Sequence, residues 1–453
     1  MINESTIIRK YNIPGPRYTS YPTVPYWDVG NFCIEQWAGA LQASFNESNA
    51  DGISLYIHLP FCESMCTFCA CHKRITKNHA VEHVYVKAVL TEWKLYCGLL
   101  GERPRIKELH LGGGTPTFFS SQNLEDLING IFSIADRAPG HEFSFEGHPN
   151  NTTREHLETL YNVGFRRVSF GVQDYSTKVQ KAINRVQPLC NVARVTLWAR
   201  EIGYTSVSHD IVYGLPFQDL ADVTDTVEKT ISMRPDRLAF YSYAHVPWMR
   251  GNGQRGFADQ DVPQGEFKRM LYEKGREILL QHGYLEVGMD HFALKTDSLY
   301  QAYAKSAMHR NFMGYGSSHT QLMIGLGASA IGDSWYAFGQ NTKSIEDYYQ
   351  LLEWGQFPID KGHLLTAEDL LVRKHILDLM CNFATELIAD GTLPISGIIE
   401  NLRELQGDGL LEIEANRITV TPKGKPFVRN ICMAFDLRMR RAVPDGPLFS
   451  MTV

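Results

Sequence analysis

Surplus basic charge is absent from this 453-residue sequence: 44 Lys and Arg stand against 50 Asp and Glu, a formal net charge of −6. A general nucleic-acid binder is normally basic, so no nucleic-acid partner is expected and any cationic site must be local. A leader-like apolar segment is also missing. Met1 runs into Asn3, Glu4 and Arg9, which predicts a cytoplasmic protein. Long apolar runs are scarce. The longest stretch free of Asp, Glu, Lys and Arg is Asn311–Gly332, and Ser317, Ser318, His319, Thr320 and Gln321 interrupt it. It reads as buried loop and strand, and no membrane span is expected. Repeats and low-complexity tracts are lacking. Hydrophobic residues make up 44%, enough for a large core, which excludes disorder of the whole chain. The nine cysteines are an odd number in a long chain without a leader, so a disulfide framework is not expected.

What is present is alternation. Short β-type runs at Ser54–Leu59, Lys107–Leu111, Glu142–Glu146, Arg167–Val172, Ser206–Val212 and Arg237–Ser242 alternate with helix-like segments at His79–Leu99, Leu124–Ala135, Arg154–Val163, Val192–Ile202 and Leu220–Met233. Six such units predict an α/β fold with a parallel sheet, a partial (β/α)6 barrel whose functional groups collect at the C-terminal ends of the strands. The expected organisation is an N-terminal arm over residues 1–50, the barrel over 51–260, an extension over 261–360 and a C-terminal unit over 361–453. That last unit is mostly helical, with a small hairpin at Leu411–Glu414 and Arg417–Val420 in a winged-helix-like setting.

Four of the nine cysteines, Cys62, Cys66, Cys69 and Cys71, fall within ten residues, directly after the first predicted strand. The first three are spaced C-x3-C-x2-C. Three thiolates on one tight loop can hold three irons of a four-iron cluster and leave the fourth iron open to an outside ligand. Structural zinc motifs come instead as two separated C-x2-C pairs, and four cysteines this close wrap poorly around one ion. Cys71 reads as a non-ligand. After the second predicted strand comes Gly112-Gly113-Gly114-Thr115-Pro116, where three bare backbones allow close approach of a ligand, or simply a tight turn. Glu146, Gln173-Asp174 and Asp210 sit at or near later strand ends, and Arg185 can engage a carboxylate in bidentate fashion. His58, beside the cysteine loop, reads as a substrate or cluster contact or as a packed histidine.

The cysteine loop, with Phe68 just before Cys69, resembles the signature of the radical S-adenosylmethionine (SAM) superfamily, and Gly112–Pro116 resembles that superfamily's GGTP element. The resemblance implies that the open iron binds SAM, which one-electron reduction cleaves to a 5′-deoxyadenosyl radical. Beyond the loop, Tyr11-Asn12-Ile13-Pro14-Gly15-Pro16-Arg17-Tyr18-Thr19-Ser20-Tyr21-Pro22-Thr23, Gly171-Val172-Gln173-Asp174, Tyr213-Gly214-Leu215-Pro216, Gly288-Met289-Asp290-His291-Phe292-Ala293, His309-Arg310-Asn311-Phe312 and Arg429-Asn430-Ile431-Cys432-Met433 resemble the oxygen-independent coproporphyrinogen III oxidases over nearly the whole chain. Cys71 belongs to that pattern too. Ala70, His72 and Gly147-His148-Pro149 depart from it.

The family resemblance implies one 4Fe–4S cluster on Cys62, Cys66 and Cys69 and two SAM molecules per chain. The first SAM would be met by Tyr56, Gly112, Glu146 and Ile331. The second would be met by Phe68, Gly113, Gly114, Gln173, Arg185, Asp210 and Ala244, with Thr115 closing the glycine element. It further implies that two propionates of coproporphyrinogen III are decarboxylated to vinyl groups, that a reduced flavodoxin- or ferredoxin-type protein donates electrons, and that the chain works as a monomer. Tyr56, His58 and Arg17 are the expected catalytic residues. The arm is expected to cover the barrel mouth with Arg17 near a propionate. Lys73, Arg74, Arg166 and Arg310 are further candidates for that cationic task. The alternative within the superfamily is a haem chaperone, which binds and hands over haem without decarboxylation.

Overall fold

The computed structural model describes residues 4–248, 253, 254, 256–442, 446 and 448–452. Residues 1–3, used above in reading the N-terminus, lie outside these. Six parallel strands form the centre: β1 Ile53–Leu59, β2 Arg105–Gly113, β3 Asp136–Gly147, β4 Arg167–Gln173, β5 Ser206–Tyr213 and β6 Arg237–Ser242, each hydrogen-bonded to the next. Period-two alternation decides their faces. In β1, Ile53, Leu55, Ile57 and Leu59 are fully buried and belong to the core that also holds Trp93 and Leu124 of the outer helices. Ser54, Tyr56 and His58 take the opposite, inner face.

The intervening helices are Val81–Leu100, Ser121–Phe132, Arg154–Asn162, Leu189–Ile202 and Leu220–Ser232, with a short Thr177–Ala182 turn of helix before the fourth. Ser120, Thr153 and Asp219 accept from backbone N–H groups at the starts of three of them, and Gly101 and Gly203 end two others in the left-handed conformation. These local signals explain why the element boundaries fall within a few residues of those read from the sequence.

The sheet is wider than six strands. Met323–Leu326 adds a seventh parallel strand on the open side of β1, pairing Ser54 with Met323 and Ile57 with Leu326. Ile331–Asp333, Ala337–Asn341 and Ile359–Leu364 extend that edge antiparallel, while His291–Ala293 and Leu285–Glu286 extend the other, for twelve strands in all among the described residues. The segment read as buried loop and strand is thus a sheet component and a plug. Ser318 donates to Glu108 at 2.5 Å, Ser317 donates to Glu142 at 3.2 Å, and the hairpin His309–Asn311/Gly314–Gly316 lines the barrel interior. Among the described residues no helix is long and apolar enough to cross a membrane.

The C-terminal elements have their own core. Helices Ala367–Asn382, Ile395–Gly407 and Val428–Met433 pack Ile376, Leu379, Ile398, Leu402 and Ile431 together, and Ala384–Glu386 joins the hairpin Leu411–Glu414/Arg417–Val420 in a three-stranded antiparallel sheet. The arm is part of this core. Its helix Glu4–Tyr11 contributes Ile7, Ile8 and Tyr11, and Tyr18 and Tyr21 follow, both 1% exposed. Buried Arg429 donates to the carbonyls of Gly15, Pro16, Met451 and Thr452, and Arg310 donates to those of Arg17 and Tyr18. The carbonyls of buried Gly15, Pro16, Tyr18 and Thr452 find in these guanidinium groups the partners that burial would otherwise deny them.

Candidate active site

The cysteine loop leaves the C-terminal end of β1 and is stitched to its surroundings by backbone bonds. Gly114 N donates to Leu59 O, Thr115 N to Phe61 O, and Arg74 N to Pro60 O. From the other side, Thr67 donates through its backbone and its hydroxyl to Ile183 and Ala182 carbonyls, and Asn184 donates to Met65 O. The glycine run is needed for this fit. A Cβ at Gly113 (φ +113°) would stand 2.7 Å from the His58 ring, and one at Gly114 would stand 2.6 Å from the Pro60 carbonyl. The bare backbones therefore let β2 close against the loop, whatever ligand they also meet.

Cys62, Cys66 and Cys69 are half-buried free thiols that line one cavity of about 730 Å³. Thr115 Oγ1 lies 3.3 Å from Cys62 Sγ, and Arg185 Nη1 donates to Cys66 Sγ at 3.7 Å. Burial pushes the Cys62 thiol up to about 11, whereas a hydrogen bond with Cys71 brings Cys69 down to about 6 and holds Cys71 protonated. Among the described residues no three His, Cys, Asp or Glu side chains converge on a point that holds a single metal ion. Three thiols lining one cavity, with Arg185 beside one of them, are a donor set that suits a multi-iron cluster.

A second cavity, about 340 Å³, opens beside the first. Phe68, Gly113, Gly114, Thr115, Glu146, Gln173, Arg185, Asp210 and Ala244 line it together with Cys69 and Cys71, so residues scattered over 177 positions of sequence meet at the strand ends. Gln173 takes a left-handed φ of +68° at the end of β4. Arg185 Nη2 donates to Gly171 O at 2.6 Å, while its Nε is buried without a partner. A guanidinium lining a cavity suits an anionic group such as an amino-acid carboxylate. Ser169 donates to Asp210 at 2.8 Å, and burial lifts the Asp210 carboxyl to about 7. Asp174, fully buried and lifted to about 7 by the same cause, accepts from Gln218 and Ser176 N and is a structural neighbour of the site.

The remaining candidates lie apart from that cavity lining. Tyr56 and Gly112 sit just behind it on β1 and β2. Tyr56 is paired in register with Gly325, whose Cα backs directly onto the Ile331 carbonyl. Tyr56 OH donates to His58 Nδ1 at 2.9 Å and His58 Nε2 donates to His72 O at 3.0 Å. Both ring nitrogens are engaged, burial holds the imidazole neutral with a pKa of about 4, and His58 braces the loop. Arg17 does reach the C-terminal end of β6, donating to Ser242 O at 2.7 Å, but Asp290 lies 3.3 Å away and compensates its charge. Arg310 is spent on the arm's carbonyls. Arg166 stands before β4, at the opposite end of the barrel, stacked on Tyr161. That placement removes it from the cationic candidates. Lys73 folds back onto the carbonyls of Cys69 and Cys71, and Arg74 pairs with Glu346.

The structure adds Gln254, 1% exposed, which donates to the carbonyls of both Phe68 and Ala244 and so ties the cysteine loop to the segment after β6. It also adds His148, which lines both cavities, and Tyr241, which lines the second cavity and the barrel interior. A lone Gln in a polar stretch carries no sequence signal.

Comparison with known proteins bears on the same residues. The radical SAM superfamily model matches residues 56–230. An oxygen-independent coproporphyrinogen III oxidase of Synechocystis sp. is 34% identical over 443 residues, covering 95% of this chain and 94% of the relative. One of Helicobacter pylori is 35% identical over 439 residues, covering 95% and 96%. The solved structure of coproporphyrinogen III oxidase from Escherichia coli, a radical SAM enzyme, superposes with a TM-score of 0.87 at 33% identity over 93% of this chain and 97% of that one. With matches of this extent running through the arm, the cysteine loop and the C-terminal core alike, the chain belongs to the oxygen-independent coproporphyrinogen III oxidase family of radical SAM enzymes.

Proposed function

We propose that this chain converts two propionate side chains of coproporphyrinogen III to vinyl groups with loss of carbon dioxide, giving protoporphyrinogen IX. The observation that carries the reading is the junction of two cavities at the strand ends, one ringed by three thiols and one lined by the strand-end residues Glu146, Gln173 and Asp210 together with Arg185. A propionate β-C–H is too inert for any side-chain base. The cluster and SAM, when bound, supply the one-electron chemistry that removes that hydrogen. The protein's task is to hold, orient and exclude water.

In this reading Cys62, Cys66 and Cys69 hold the cluster, and Thr115 and Arg185 flank its sulfur ligands. Tyr56, Gly112, Glu146 and Ile331 serve one SAM, and Phe68, Gly113, Gly114, Gln173, Arg185, Asp210 and Ala244 serve a second. Arg185 supplies a cation to a carboxylate and Asp210 an anion to an ammonium. His58 acts through Tyr56 and the loop, and Arg17 acts by fixing the arm to the end of β6. A cytoplasmic monomer reduced by a flavodoxin- or ferredoxin-type protein completes the account, and nothing among the named relatives favours the haem-handling alternative.

The test is anaerobic incubation of the reconstituted protein with coproporphyrinogen III, SAM and a reductant, followed by oxidation and separation of the porphyrins. Protoporphyrin IX is the expected product. Unchanged coproporphyrin from protein with full iron content and measurable SAM binding would refute the reading.

A further inference from the structure

Inside the barrel, one group stands next to the proposed first SAM site without a role so far. His110 is the inward-facing residue of β2 in register with Tyr56 of β1 and Ser144 of β3. Its ring lies parallel to that of Tyr56, with centroids 6.1 Å apart and planes 16° apart. Its Nδ1 is 2.8 Å from Ser144 Oγ, and its Nε2 is 3.5 Å from Glu146 Oε1. At 3.5 Å the Glu146 approach is longer than a formed hydrogen bond; because a carboxylate only accepts, the tautomer that can close it carries its proton on Nε2 and accepts at Nδ1 from the Ser144 hydroxyl. Glu146 is on the same face of β3, two residues past Ser144, with its side chain 48% exposed towards the cavity. Gly112 explains why the three side chains can converge. A Cβ there would stand 3.1 Å from the Tyr56 ring, 3.3 Å from Glu146 Oε1 and 3.3 Å from the His110 ring.

We propose that His110 is a positioning residue. Held at Nδ1 by Ser144 and flanked by Tyr56, its Nε2–H stands 3.5 Å from the Glu146 carboxylate and closes on it to set the orientation that accepts from the donors of SAM, its ribose hydroxyls or its ammonium. The proposal rests on the reading that Glu146 meets SAM. A carboxylate on a flexible stem loses rotamer freedom on binding, and a donor already standing beside it lowers that cost.

The two ring nitrogens can be tested separately, because a Gln amide places its N–H near Nε2 and an Asn amide places its N–H near Nδ1. The measurement is equilibrium dialysis of labelled SAM against the reconstituted holoenzyme with its cluster oxidised, so that no turnover intervenes. His110→Asn should weaken one class of SAM site by about tenfold, as expected for loss of one hydrogen bond to a charged group. His110→Gln should stay within about twofold of the parent, since it keeps that donor. Glu146→Gln should weaken the same class, and adding His110→Asn to it should cost nothing more. Should His110→Asn lose iron or fold poorly, Ser144→Ala, which frees the ring to turn, is expected to shift affinity in the same direction by less. Weak binding in Glu146→Gln with parent affinity in His110→Asn would overturn the role of His110. Equal losses in His110→Asn and His110→Gln would reduce it to packing. Unchanged affinity in Glu146→Gln would remove the reading beneath it.

Discussion

Cys71 differs from its three neighbours in what it touches. Its thiol is hydrogen-bonded to Cys69 and lines only the second of the two cavities, whereas Cys62, Cys66 and Cys69 all line the first. Changing any of those three to Ala should abolish the broad visible absorption and iron binding, while Cys71→Ala should retain iron. Metal analysis of the four variants checks this, and equal iron loss in Cys71→Ala would make it a ligand. Arg185→Ala should lower SAM binding from two per chain towards one while leaving iron in place. Equilibrium dialysis of the fully loaded protein reads that number, and a stoichiometry of one in the intact protein would contradict the two-site account.

Asp210 supplies a pH test. Its folded pKa is about 7 against a usual value near 3.8, because burial outweighs the Ser169 bond and the attraction of Arg185. Where the folded value is raised, the fold keeps a proton that the unfolded chain has already released, so stability falls as pH climbs from about 4 to about 7. Asp210→Asn removes that dependence. Its thermal midpoint relative to the parent should rise across this window and level off above it. A difference that stays constant with pH would show that Asp210 is ionised throughout.

At the scale of elements, the arm has two attachments. Its first helix and tyrosines are embedded in the C-terminal core, while Trp37, Leu41 and Phe45 pack against the barrel sheet and Arg17 binds Ser242 and Asp290 through its side chain. Deleting residues 1–23 would therefore strip core side chains as well as any cover of the mouth. Arg17→Ala is the cleaner change. It leaves the Ser242 carbonyl without its donor and Asp290 without its cation, a cost of about 2 kcal/mol, yet it touches no thiol and meets the second cavity only through Ser242. Iron content and SAM stoichiometry should match the parent, the denaturation midpoint should fall, and propionate decarboxylation should drop. Full decarboxylation activity would reduce the arm to packaging.

These elements also show what the sequence made legible. β6 and the hairpin Leu411–Glu414/Arg417–Val420 fall where alternation and the Gly407-Asp408-Gly409 turn place them. The cysteine and glycine motifs could be read because all their residues lie on one short loop or one turn. The strand Met323–Leu326 could be read only as an unplaced part of the buried loop and strand over Asn311–Gly332. It is four residues long, lies among glycines, and gains its identity from pairing with β1 some 270 positions earlier. Gln254 and His110 escaped for the same reason, since their meaning lies in partners from other strands and loops. The physical signal for His110 was period two along Glu108, His110 and Gly112, which puts all three on the inner face.

Across the whole molecule, the twelve-stranded sheet keeps its apolar packing outside and its polar side chains inside. The interior layer is tied by Glu142 with Arg167 and by Arg237 with Asp297, with Ser54 and Ser318 donating to Glu108. Paired charges fill the far end of the barrel and leave the C-terminal end open for the two cavities. With a net charge of −6, attraction of a polyanionic substrate must be local and short-ranged. The central claim is that this molecule brings a propionate to a hydrogen-abstracting group at that open end. Coproporphyrinogen III carrying deuterium at the propionate β-carbons tests it most directly, with the 5′-deoxyadenosine formed during anaerobic turnover analysed by mass spectrometry. The account predicts 5′-deoxyadenosine that has gained deuterium in step with protoporphyrinogen formation. 5′-Deoxyadenosine free of deuterium, formed while vinyl product accumulates, would contradict it.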